Sequence, residues 1–361
     1  MVDLSKMEED ELFVDDHNEV PPPDIVAYNE LRSCADLHRM HSDGILEIQP
    51  EFQRDFVWKS TEQTRFIDSL LKQLPIPSMC FAYDHKQNKW IVIDGLQRIS
   101  TIIRFLNGED WLLSKLVDID PALSGKSAAT IKNTKIGPLK TLYTRVQNQS
   151  LPVNVLRCDF SKAKHNEYLF TIFHRLNSGG VKLNNQEIRN CIYGGTLNNL
   201  LRHLDENKHW RSINLMRVDE NYRFVKQELI LRFFAFYDEI SKYNGLIAKF
   251  LNDYMFSNRN AEKVFIDEKR ELFQRVVKII DEKILPGGAP GRITTSVMES
   301  LLVGVGINIE VLEGLRPNEL QNKYKLLLND SSVSAASLAE GLSKKDKVSA
   351  RINAAKKIFS Q

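Results

Sequence analysis

The chain has 361 residues, 42% hydrophobic and 27% charged, with a formal net charge of +2. That length leaves room for two or three domains, and the composition is globular rather than fibrous or disordered. The near-neutral balance excludes a polycationic protein, although local basic patches remain open.

Residues 1 to 24 are rich in Asp and Glu and run into Pro21-Pro22-Pro23. Such a stretch cannot bury enough apolar surface to fold alone, so it reads as an acidic flexible arm. It carries no apolar core of a signal peptide, and no segment reaches the roughly 18 consecutive apolar residues of a membrane helix. Cys34, Cys80, Cys158 and Cys191 show no C-x-x-C spacing and read as reduced structural thiols. A cytoplasmic protein with no membrane partner is expected.

Residues 25 to 195 mix helical and strand patterns. A short helix over Ser33 to His41 stops near Gly44, and a strand follows at Ile45 to Ile48. Ser60, with Gln63 three residues on, is placed to cap a helix from Thr61 to Lys72. Pro75 and Pro77 end it. Two strands, Met79 to Tyr83 and Trp90 to Ile93, precede a helix from Gly95 to Leu106 that closes at Asn107-Gly108. Residues 109 to 150 are weakly patterned and read as an insertion or mobile loop. Leu151 to Arg157 is a strand, and Ser161 caps a helix through Leu176. Asn184 starts another, with Glu187 at the capping-box position. From residue 196 to 361 the period is helical almost throughout, which makes a helical domain. Its last helix is basic, but the stripe Val348, Ile352, Ala355 and Phe359 reads as a docked face.

The chemistry concentrates in three clusters. In Trp90 to Thr101 a buried strand feeds a helix through Asp94-Gly95. A helix start presents free N–H groups and positive dipole, which suits an anion. Gly95 permits close approach, Arg98 can grip phosphate oxygens, Gln97, Ser100 and Thr101 are neutral donors, and Asp94 can hold a divalent cation. Asp94 and Arg98 are also four apart and can simply pair with each other, worth about 0.2–0.5 kcal/mol in an isolated helix. A second cluster, Ile48 to Trp58, offers Gln53, Arg54 as a second cation and Phe52 or Trp58 to stack on a base, although a core aromatic pair with a surface arginine explains it as well. A third, Phe173 to Arg189, offers Arg175, Asn177, Glu187 and Arg189 around Gly179-Gly180, and ordinary turn chemistry explains it equally well.

Together these clusters resemble the N-terminal, S-type domain of the GmrSD restriction endonucleases. The matching stretches are Pro50 to Trp58, Ile67 to Leu71 with Pro75 to Pro77, Ile93 to Arg98, Arg175 to Gly180, and Leu183 to Arg189. The resemblance implies an α+β, ParB/sulfiredoxin-like fold for residues 25 to 195. It also implies a nucleoside triphosphate, held with Mg²⁺ or another divalent cation. Asp94, Gln97 and Arg98 would be catalytic, and Asp94 would hold the metal. Gln53, Arg54, Gly95, Gln97, Arg98, Thr101, Arg175, Asn177, Glu187 and Arg189 would line the nucleotide site. Leu96 departs from the family's usual Gln, which puts hydrolysis in more doubt than binding. After His209 the sequence has neither His nor Cys, so a His-metal nuclease cannot be built there. The expected function is a nucleotide-binding and hydrolysing component of a bacterial DNA restriction or anti-phage system, with DNA and a separate nuclease subunit as partners. The alternatives are a DNA-binding or regulatory subunit without catalysis, or a weak ParB-like nuclease.

Overall fold

The computed structural model describes residues 21–48, 58–176, 183–216, 224–288, 293–333 and 341–361. They fall into two compact units that divide between Leu183 and Asn184, ahead of the expected boundary at 195/196. Mixed α and β structure is confined to the first unit, and the second is helical.

The first unit is built on a five-stranded mixed sheet in the order β1-β5-β3-β4-β2. The strands are β1 (Val26–Ser33), β2 (Leu46–Glu47), β3 (Met79–Asp84), β4 (Lys89–Asp94) and β5 (Ser150–Cys158). β1 runs antiparallel to β5, β5 parallel to β3, β3 antiparallel to β4, and β4 parallel to β2. β1 escapes a pattern-based reading because it is an edge strand whose Val26, Tyr28 and Leu31 stay exposed. Its alternation carries no burial signal.

One face of the sheet, with Met79, Phe81, Val92, Val153 and Val155, forms a core with α1 (Cys34–Ser42), α2 (Ser60–Leu71) and α3 (Leu96–Asn107). On the opposite face Cys80, Ala82, Ile91 and Ile93 are buried, and α6 (Ala163–Leu176) packs against β4. Ser33 caps α1 by accepting a hydrogen bond from the Asp36 N–H. At α2 the cap lies one residue earlier than expected. The Lys59 N–H donates to the Glu62 carboxylate at 2.7 Å, while Ser60 is already helical and its hydroxyl accepts from Trp111 Nε1 at 3.1 Å.

The reading of residues 109 to 150 as a loose insertion is corrected. They contain α4 (Ala128–Asn133) and α5 (Pro138–Asn148), and Trp111, Leu113, Ile119, Leu123, Ile131, Leu142 and Val146 are all part of the core. The segment is fastened to a polar stripe on α2. Ser60 receives Trp111, Thr64 Oγ1 receives the Ser114 N–H at 2.9 Å, and Asp68 Oδ1 receives the Asp120 N–H at 2.8 Å. Those three residues are spaced by four and so share one face of the helix.

The second unit comprises α7 (Asn185–Ile192), α8 (Thr196–Asp205), α9 (Lys208–Ile213), α10 (Val225–Glu239), α11 (Ile247–Asn258), α12 (Lys263–Ile279), α13 (Thr295–Ile307), α14 (Ile309–Leu312), α15 (Pro317–Leu328) and α16 (Lys345–Ser360). A π-helical turn, Ile280–Ile284, continues α12. The basic α16 docks through Val348, Ile352, Ala355 and Phe359, all at most 1% exposed. Its interior also holds a charged ladder. Arg189 pairs with Glu228, Glu228 with Arg232, Arg232 with Glu299, and Glu299 with Arg351. Such pairs persist in low dielectric only where hydrogen bonds repay the loss of water. Here the Arg189 Nε also donates to Asn252 Oδ1 at 2.9 Å, and Arg351 Nη1 to the Leu342 carbonyl at 2.7 Å.

No helix among the described residues is long and apolar enough to cross a membrane.

Candidate functional site

β4 delivers Asp94 to the edge of a turn, and Gly95 carries the chain into α3. Gly95 is the N-cap and adopts a left-handed conformation with φ +97°. A Cβ there would lie 2.6 Å from Met79 Cγ, so both the backbone angle and the space require glycine. Among the described residues no side chain caps α3. Its first turn therefore presents main-chain donors and the positive end of the helix dipole.

Arg98, one turn into the helix, folds back over this turn. Its Nη2 lies 2.7 Å from Asp94 Oδ2, and its Nη1 donates to the Pro77 carbonyl. The Arg98 side chain is 14% exposed and that of Asp94 is 38% exposed. Burial lowers the proton affinity of the guanidinium, and the neighbouring Asp94 carboxylate opposes that shift. An arginine stays charged under such a shift at any physiological pH. The arrangement is a part-exposed carboxylate and a part-buried guanidinium, both fixed beside an uncapped helix start.

The adjoining chain is tied to the same turn. The Trp58 N–H donates to Gln97 Oε1 at 3.3 Å, and the Trp58 carbonyl accepts from Gln63 Nε2 at 2.9 Å. Gln63 Oε1 in turn accepts from Arg104 Nη1 at 2.9 Å. The Trp58 ring packs edge-on against Phe66 at 5.4 Å. Gln63 was expected to cap α2. Instead it is buried and bridges the Trp58 carbonyl and Arg104, a role that only its partners reveal. Gln53, Arg54 and Asn177 themselves lie outside the described residues.

The other expected site residues are placed as follows. Thr101 is fully buried and its hydroxyl donates to the Gln97 carbonyl at 2.7 Å, so it is committed to the helix. The Ser100 hydroxyl is buried and has no hydrogen-bond partner among the described residues. Leu96, where the family usually has Gln, packs against the core. Arg175 is exposed in the last turn of α6. Glu187 and Arg189 belong to the helical unit. Glu187 caps α7, accepting from the Asn184 N–H at 2.7 Å. Arg189 is 1% exposed and its Nη1 lies 2.8 Å from Glu228 Oε2. A phosphate could reach Arg189 only by displacing that carboxylate in the interior, so the phosphate-binding expectation for it is dropped on physical grounds.

Among the described residues, no three His, Cys, Asp or Glu side chains gather as a metal site. A cation at the β4–α3 turn would have Asp94 as a single carboxylate ligand among the described residues, alongside water and phosphate oxygens. That suits Mg²⁺, which is usually held by one or two carboxylates together with substrate phosphates. All four cysteines are buried and unbridged. Burial pushes the Cys34, Cys80 and Cys158 thiols up to about 12, which makes them poor nucleophiles.

Comparison with known families finds a match over residues 35–194 to the family described as GmrSD restriction endonuclease, N-terminal domain. Neither the curated proteins nor the solved structures contain a match. The matched stretch covers α1, the β4–α3 turn and α6, so it contains the described elements of the candidate site. Residues 35–194 are thus similar to the N-terminal domain of the GmrSD restriction endonucleases, a similarity that supports a component of a restriction or defence system.

Proposed function

We propose that the β4–α3 turn binds the phosphates of a nucleoside triphosphate, and that the chain is a nucleotide-dependent component of a DNA restriction system. The observation that carries this reading is the conjunction at one turn of a left-handed Gly95, an uncapped α3 and the Arg98 guanidinium. Main-chain donors at a helix start suit phosphate oxygens, and glycine lets the phosphate come close. Arg98 would contribute charge-assisted hydrogen bonds, exchanging part of its contact with Asp94 for the ligand. Gln97 would hold the Trp58 backbone next to the bound nucleotide. Arg175, in the last turn of α6, is a candidate for a second wall.

Asp94 would share a divalent cation with the phosphates. That cation would neutralise phosphate charge, while Asp94 orients it and Arg98 holds the phosphoryl oxygens. Loss of a side-chain donor at Leu96 affects the donor set but not the main-chain groups of the turn.

The test is nucleotide binding by calorimetry and phosphate release, over ATP, GTP, CTP and UTP with Mg²⁺, for wild type and Asp94→Asn. Binding of at least one nucleotide, with release abolished in the variant, is expected. Binding without release in wild type would reduce the role to nucleotide sensing. No binding of any of the four would transfer the chain to the DNA-binding, non-catalytic class.

A further inference from the structure

We infer that the outer face of α5 is a docking groove for the phosphate backbone of duplex nucleic acid, independent of the nucleotide turn. A cavity of about 350 Å³ opens along this helix, lined by Lys140, Thr141, Thr144, Arg145 and Asn148 on one face and by Gln73 at the end of α2. The spacing explains the shared face, because positions 140, 141, 144, 145 and 148 fall within one stripe of an α-helix. Opposite them, Gln73 takes a left-handed backbone with φ +54° just beyond the end of α2.

The lining has a distinct chemistry. It contains two cations, two hydroxyls and amide side chains, and no carboxylate. Those are the groups that contact phosphate and sugar in protein–nucleic acid interfaces. It also contains no aromatic ring, whereas single-strand binding relies on stacking platforms. The Lys140 ammonium lies 5.4 Å from the Tyr143 ring centroid, but that ring is buried and its hydroxyl donates to the Leu106 carbonyl at 3.0 Å. The apolar pocket that would take a base is therefore lacking, and a backbone is the ligand the lining fits. Lys140 and Arg145 are separated by about 7.5 Å along the helix axis, which lets each meet its own phosphate. No ion pair to either cation occurs among the described residues. This face belongs to the stretch whose weak patterning hides it in the sequence.

The test uses the full chain and a short fluorescein-labelled duplex of mixed sequence, followed by anisotropy across about 50–200 mM salt. Wild type should bind with a steep salt dependence. In the double variant Lys140→Gln, Arg145→Gln the salt slope should fall by about 1.8, two contacts at about 0.9 each. Arg145→Glu should weaken binding further, with an unchanged melting temperature because Arg145 is exposed. Duplex affinity should be unchanged by saturating ATP with Mg²⁺, which separates this groove from the nucleotide turn. An unaltered slope in the folded double variant overturns the inference. So does a wild type that fails to bind duplex at the lowest salt, whether or not it binds inorganic phosphate.

Discussion

Arg98 Nη2 sits 2.7 Å from Asp94 Oδ2 across the first turn of α3, with Gly95 between them in the left-handed region. The pair links a sheet edge to a helix start and fixes both charges before any ligand arrives. Fixed charges of this kind lower the reorganisation that binding requires. The same contact is an ordinary i, i+4 ion pair, so its meaning depends on what Gly95 and the uncapped helix add to it.

Gly95 is the position at which a minimal change should be most informative. Gly95→Ala forces a Cβ against Met79 Cγ and holds alanine at φ +97°. A cost of about 1–3 kcal/mol in unfolding free energy is expected, read by urea denaturation. A cost within error of zero would mean the turn relaxes freely and is not preorganised.

Residues 109 to 150 are predicted to behave as core. Trp111 is 3% exposed, donates to Ser60 and lies with the Arg104 guanidinium 4.9 Å from its ring centroid. Trp111→Ala should destabilise the protein by about 3–5 kcal/mol. A loop residue would cost a few tenths, and the same denaturation experiment distinguishes the two.

That segment also shows where sequence reading stops. Helices with a clean apolar stripe, such as α2 and α3, are legible from spacing, and so are β3 and β4, whose apolar runs are bounded by turns. Trp111, Leu113, Ile119 and Leu123 have no common period, because their segment is held by hydrogen bonds from Trp111, Ser114 and Asp120 to Ser60, Thr64 and Asp68 on a distant helix. At the site, Asp94, Gly95 and Arg98 stand out because they are contiguous. Gln63 does not, since its function is a contact with Trp58 and Arg104 that no local pattern encodes. Arg189 misleads for the opposite reason. Its motif looks like an exposed phosphate contact, and only long-range pairing with Glu228 and Asn252 shows that it is interior.

The charged ladder of the helical unit gives a third prediction. Glu299 is fully buried and accepts from Arg232 Nη1 at 3.1 Å and Arg351 Nε at 2.7 Å. Glu299→Gln leaves two buried guanidinium groups short of a countercharge. A loss of about 3–5 kcal/mol is expected. Adding Arg351→Met should recover part of it, because one of the stranded charges is then removed. If the double variant is no more stable than the single one, the ladder does not act as a coupled unit.

A pH effect is expected at Asp24. The Asp159 N–H donates to His165 Nδ1 at 3.0 Å, which leaves His165 Nε2–H to donate to Asp24 Oδ1 at 2.9 Å. Hydrogen bonds from Lys162 and then His165 hold the Asp24 carboxyl at about 2, below its ordinary 3.8. A depressed carboxylate stabilises the fold above its unfolded value and ceases to do so as pH falls through its folded value. The stability difference between wild type and Asp24→Asn should therefore be constant above about pH 4 and close as pH drops toward 2. A difference independent of pH across that window would assign the tie to something other than charge.

The most direct test of the central claim is the affinity of Arg98→Ala for whichever nucleotide the wild type binds, measured by calorimetry in Mg²⁺. Loss of a charge-assisted contact predicts weakening by about 1.5–3 kcal/mol, roughly ten- to a hundredfold, in a variant shown to be folded by circular dichroism. Affinity equal to that of the wild type, in a folded variant, would contradict the placement of phosphate at the β4–α3 turn.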